Sequence, residues 1–234
     1  MGSARSWWPI WVIVTALAVV NVASNEWVPR AGYVPFAVAA AVLVIGAGVL
    51  LDGLDLEAFG FGRRQLGKGL RWGGTVGGVV AVVMLVGVAV PSTRELFEDR
   101  RVESMTFPGV LYAAFVRVPF GTVLLEEVAF RAVLPEMLAQ RVSRRVAIGS
   151  AAVLFGLWHV LPSLGIATVN PVASDTIGGL PDWVVVCGSV LSTALVGVWF
   201  SFLRERSGSI IAPMLAHWSS NALGYLFAYA VISR

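Results

Sequence analysis

The chain holds only two histidines, His159 and His217, and both fall inside long apolar stretches. Glu126, Glu127 and Arg131 do the same, in the run Glu-Glu-Val-Ala-Phe-Arg. Ionisable groups at membrane depth are costly and mark function by default. Glu127 and Arg131 stand four apart, on one helix face where they can pair. Glu126 points about 100° away from Glu127, so the two carboxylates serve different neighbours. One can be held by Arg131 while the other faces a cavity, an asymmetry suited to general-base work. His217 and Asn221 repeat the four-residue spacing, and so do Phe155 and His159. Singly, each has a bland reading: a packing ion pair, a cross-helix hydrogen bond, helix glue for Asn221, plain packing for Phe155. Arg117 and Glu136 read as interfacial, and the lone Cys187 as a small apolar residue. The joint pattern is harder to dismiss than its parts.

The elements that must position these groups are membrane helices. Of 234 residues, 57% are hydrophobic and 13% charged, and the mean hydropathy is +0.81. A water-soluble globule of this length cannot hide that much apolar surface, and one cysteine forms no intramolecular disulfide. A hydrocarbon core of about 30 Å takes about 20 apolar residues to cross. Seven stretches qualify: 7–23, 32–51, 72–90, 111–138, 146–161, 183–203 and 209–231. The sequence therefore predicts an all-α polytopic membrane protein, a bundle of about seven transmembrane helices without internal repeats. Residues 1–54 form an N-terminal two-helix segment and 55–234 the core. Spans one, two, three and six carry no Asp, Glu, Lys, Arg or His. From one set of helix ends Glu126, His159 and His217 lie about 18, 20 and 12 Å deep, close enough for one site. The connection 162–182 reads as an external cap or gate.

Arginine and lysine in the loops set the orientation. Ten basic residues fall on the side of Arg5 and five on the other, which puts the N-terminus in the cytoplasm and the C-terminus outside. The net charge of +3 reflects that bias, and nucleic acid is not an expected partner. Sixteen arginines stand against one lysine, a composition that points to a bacterial plasma membrane.

Three motifs in order on three apolar helices, Glu126-Glu127-x-x-x-Arg131, Phe155-x-x-x-His159 and His217-x-x-x-Asn221, resemble those of the CAAX protease and bacteriocin-processing family, also called Abi. Gly60-Phe61-Gly62-Arg63-Arg64 and Ser207-Gly208-Ser209-Ile210-Ile211-Ala212-Pro213 look like flanking regions of the same family. The resemblance covers about residues 55–231. It implies an intramembrane endopeptidase similar to type II CAAX prenyl endopeptidases, with a membrane-associated peptide or protein as substrate. Glu126 would then activate water, His159 and His217 complete the centre, and Asn221 stabilise the oxyanion. Glu127, Arg131 and Phe155 would support them. Glu126, His159 and His217 are also candidate ligands for a divalent metal, zinc first. The His-Glu-x-x-His helix of common zinc proteases is absent, so a metal-free glutamate mechanism stands beside the metal-dependent one. Rival readings are a proton-coupled transporter and a non-catalytic membrane scaffold or immunity protein. The transporter lacks the expected inverted repeat and broken helix pairs. Oligomeric state leaves no trace in the sequence.

Overall fold

The computed structural model describes residues 5–166 and 169–233. Residues 1–4, 167–168 and 234 lie outside it, among them Arg234 of the charge count and two positions of the 162–182 connection. Every regular element among the described residues is helical. The long ones are α1 (Trp8–Val22), α2 (Tyr33–Asp52), α3 (Leu66–Ala89), α4 (Phe107–Ala139), α5 (Arg144–Trp158), α6 (Asp182–Ser207) and α7 (Ile211–Ile232).

Five helical stretches are long and apolar enough to cross a membrane: Trp8–Trp27, Arg30–Asp52, Arg63–Ala89, Phe107–Ala139 and Asp182–Ser207. The other two of the seven expected spans, α5 and α7, fall short for separate reasons. Helix α5 has 15 residues and ends at Trp158, where His159 leaves helical geometry at φ −88° and ψ 4°. Helix α7 has 22 residues, but His217, Ser219, Ser220 and Asn221 dilute its apolar content. These are the two helices that carry the histidines, so the chemistry itself weakens the span signal. Across the bundle, large apolar side chains such as Leu43, Val82, Val83, Leu191 and Trp199 are exposed. An exterior of that kind suits lipid.

Helix α4 runs through the middle. Every residue from 125 to 135 is buried, as in a helix surrounded on all sides. Its apolar residues share one core with Ile10, Ile13 and Leu17 of α1 and Ala37, Ala40 and Val44 of α2. The N-terminal pair is therefore packed onto the centre of the bundle.

Glycines let α3 approach α7. A Cβ at Gly69 would stand 2.6 Å from Ser209 Oγ, one at Gly73 2.7 Å from Leu215 Cβ, and one at Gly77 2.5 Å from Ser219 Oγ. The four-residue spacing makes a smooth stripe on α3, the small-residue packing common between membrane helices. It presses α7 into place at the level of His217. Gly156 does the same for α5 against α6, since a Cβ there would meet Val190 O at 2.5 Å.

One end of the bundle is clamped by charge. Arg141 donates to both carboxylate oxygens of Asp52, at 2.5 and 2.6 Å, and to Ser6 O at 2.8 Å. Arg144 pairs with Glu136 at 2.8 Å and Glu205 at 2.5 Å. Glu136 is thus bound into an ion cluster joining α4, α5 and α6.

Candidate active site

Glu126 and Glu127 sit in a short α-helical stretch between two wider π-type stretches of α4, Ala113–Val123 and Val128–Val133. Such wider turns recur at functional sites because they re-aim side chains relative to a regular helix. Here they send the two neighbouring carboxylates to different partners.

Glu127 is fully buried, and Arg131 nearly so. Arg131 Nε lies 3.4 Å from Glu127 Oε2, the four-residue pair that the spacing predicts. The guanidinium makes no hydrogen bond among the described residues. It lies instead 3.8 Å from the ring centroid of Phe155 and 5.2 Å from that of Phe200. Two aromatic faces and a carboxylate thus compensate a charge that would be prohibitive alone in this interior.

The other oxygen of Glu127 holds His217, whose Nδ1 lies 2.8 Å from Oε1. A carboxylate oxygen accepts, so the histidine carries its proton on Nδ1. Nε2 then faces Glu126 Oε2 at 3.8 Å. The ring is stacked on Phe200, with centroids 5.1 Å apart. Spacing alone did not reveal this contact, because Glu127 and His217 are 90 residues apart. Nor did it reveal that Trp158 donates its indole N–H to Glu126 Oε1 at 3.1 Å.

His159 projects from the end of α5. Its Nδ1 lies 2.8 Å from Phe155 O. A carbonyl only accepts, so the proton is on Nδ1 and Nε2 is the free nitrogen. The Phe155 ring meets His159 edge-on at 4.6 Å. Phe155 therefore does more than pack: its carbonyl fixes one imidazole and its ring carries Arg131.

A cavity of about 960 Å3 opens beside these groups. Glu126 and Trp158 line it with His159, Asn221 and Arg117. Tyr33 from α2 lines it too, so the N-terminal pair contributes to the site. His217 is not on the cavity wall; it stands behind Glu126, 6% exposed. Among the described residues, no group of three or more His, Cys, Asp or Glu side chains is arranged to hold a metal ion. In this arrangement Glu126, His159 and His217 do not fit a metal site.

A bundle of apolar helices with buried carboxylate and imidazole groups beside a cavity of about 960 Å3 defines the class. A family model described as type II CAAX prenyl endopeptidase Rce1-like matches residues 108–223. The chain belongs to this CAAX protease family. The match spans all three motifs and leaves out the stretch 60–64 that resembles the family's upstream region. No curated protein and no solved structure matches the chain significantly.

Proposed function

We propose that the protein is an intramembrane endopeptidase that hydrolyses a peptide bond with water activated by Glu126. The observation that carries this reading is the unequal treatment of the two carboxylates. Glu127 is fully buried between Arg131 and His217, whereas Glu126 has no arginine partner, is bonded by Trp158 alone and lines the cavity.

A carboxylate beside a cavity that admits water is a competent general base. Glu126 takes a proton from a cavity water as that water attacks the scissile carbonyl carbon. Trp158 fixes the carboxylate through Oε1. His159, with Nδ1 tied to a carbonyl, presents Nε2 to the water as an acceptor. The Asn221 side-chain amide donates to the developing oxyanion, where a fixed dipole has its largest effect. When the tetrahedral intermediate collapses, the proton on Glu126 passes to the departing amine. His217 stands 3.8 Å from Glu126 Oε2. It is oriented by Glu127, and its unprotonated Nε2 can accept a hydrogen bond from Glu126 only while that carboxyl holds the proton. No step in this reading needs a metal.

We also read α5 and α7 as membrane-crossing in company with the five spans above, which gives seven. The basic bias then places the N-terminus in the cytoplasm and the cavity mouth, near Arg30 and Asp99, outside. The substrate in this reading is a membrane-associated peptide or protein.

The test compares cells making the wild-type protein, Glu126→Gln and His217→Ala at equal abundance. Peptide termini are mapped in membrane and medium fractions. The expected result is one set of termini that is lost in both variants. If every terminus persists in both, the transporter or scaffold reading takes its place.

A further inference from the structure

Three arginines line the cavity: Arg30, Arg101 and Arg117. Arg101 is committed, since it pairs with Asp99 at 2.6 Å and bonds it through Nε as well. Arg30 sits on the exposed turn between α1 and α2. Arg117 is different. It lies on α4, the helix that carries Glu126, and no carboxylate pairs with it among the described residues. Its guanidinium stands over the face of Tyr33, 5.5 Å from the ring centroid. The Tyr33 hydroxyl is in turn 3.3 Å from Thr122 Oγ1.

Winding brings Arg117 to the cavity. Nine positions separate it from Glu126, about two and a half turns of regular α-helix, which would put the two on opposite faces. The π-type turns from Ala113 to Val123 take more residues per turn. Both side chains accordingly line one cavity. Along the axis they are separated by at most about 13 Å, the reach of about four extended residues.

A planar guanidinium stacked on an aromatic ring keeps its forked N–H groups free and pre-organised for a carboxylate. We infer that Arg117, seated on Tyr33, is the specificity-determining residue that docks a substrate carboxylate within a few residues of the bond facing Glu126. The carboxylate comes from a chain terminus or from an acidic side chain. This role rests on the endopeptidase reading for its purpose, but its test does not depend on turnover.

The experiment uses the full chain carrying Glu126→Gln, immobilised in detergent. Random decapeptides are offered in two pools, one with free C-terminal carboxylates and one amidated, and captured peptides are identified by mass spectrometry. The expected result is an enrichment of carboxylate-bearing peptides of about tenfold or more, as for a charge-assisted hydrogen bond. Enrichment of the free-acid pool identifies a chain terminus. Enrichment of Asp and Glu at one position of the amidated pool identifies a side chain. Arg117→Gln abolishes the enrichment. Arg117→Lys, which keeps the charge but not the fork, reduces it several-fold and decides the matter should Arg117→Gln fail to fold. Arg30→Gln, which removes the same charge from the mouth, leaves it intact. Capture indifferent to carboxylates, enrichment that survives in both Arg117 variants, or equal loss in Arg30→Gln overturns the assignment. Wild-type protein that captures these peptides and cuts none contradicts the endopeptidase reading while the docking role stands.

Discussion

At the scale of the residue, the candidate site gives two adjacent carboxylates unlike surroundings. Glu127 is enclosed by Arg131 and His217, while Glu126 is held by one indole N–H and borders the cavity. The Glu127–Arg131 pair was legible from its four-residue spacing, because helix geometry makes that contact local. The Glu127–His217 and Trp158–Glu126 bonds were not legible, since each depends on how separate helices pack. Trp158 had no motif to mark it, although it directly precedes His159. Its indole N–H fixes the Glu126 carboxylate, so Trp158→Phe leaves one carboxylate oxygen unsatisfied. The expected loss is about tenfold in kcat, with KM little changed. Steady-state kinetics on a cleaved peptide check this, and an unchanged kcat counts against the role given to Trp158.

At the scale of the element, helices α4, α5 and α7 carry the candidate site residues, and α3 and α6 pack against α7 and α5. The sequence revealed the helices and their order, because 20-residue apolar stretches are hard to read otherwise. It did not reveal the π-type winding of α4, which changes which residues share a face. It also overstated α5, which ends at Trp158 so that His159 projects from a helix end. The glycine stripe of α3 has a measurable consequence. A side chain at Gly73 collides with Leu215 Cβ and Ala212 O, and the obstacle is partly backbone. Gly73→Leu should push α7 away from α3, lower the thermal midpoint in detergent and cut activity about tenfold or more. Gly74→Leu, where a Cβ meets nothing within 4 Å, serves as the control. Equal effects of the two substitutions contradict the packing role of the stripe.

At the scale of the whole molecule, the family match covers residues 108–223, yet the bundle does not begin there. Helices α1 and α2 share the core of α4, and Tyr33 reaches the cavity wall. The division at residue 54 follows the sequence but cuts through this common core. Asp52 holds the N-terminal pair to the centre through Arg141, in a bidentate contact whose side chains are 3% and 2% exposed. Neither residue stood out in the sequence, because each sits near a predicted helix end, where charges are ordinary. Replacing Asp52 by Asn leaves the Arg141 charge buried and unpaired, which typically costs about 3 kcal/mol or more. Unfolding of the purified protein should show a clear drop in midpoint, and proteolysis should release the first two helices more readily. An unchanged midpoint places the clamp among contacts of no energetic weight.

The most direct measurement is the cleavage rate of a peptide whose terminus depends on the protein, using wild-type and Glu126→Gln protein in liposomes treated with a metal chelator. A Glu126-activated water predicts that the wild type keeps its rate after chelation. The variant then falls by about a thousandfold, within the usual range for loss of a general base. A wild-type rate abolished by chelation and restored by zinc, or a variant rate close to that of the wild type, contradicts the account.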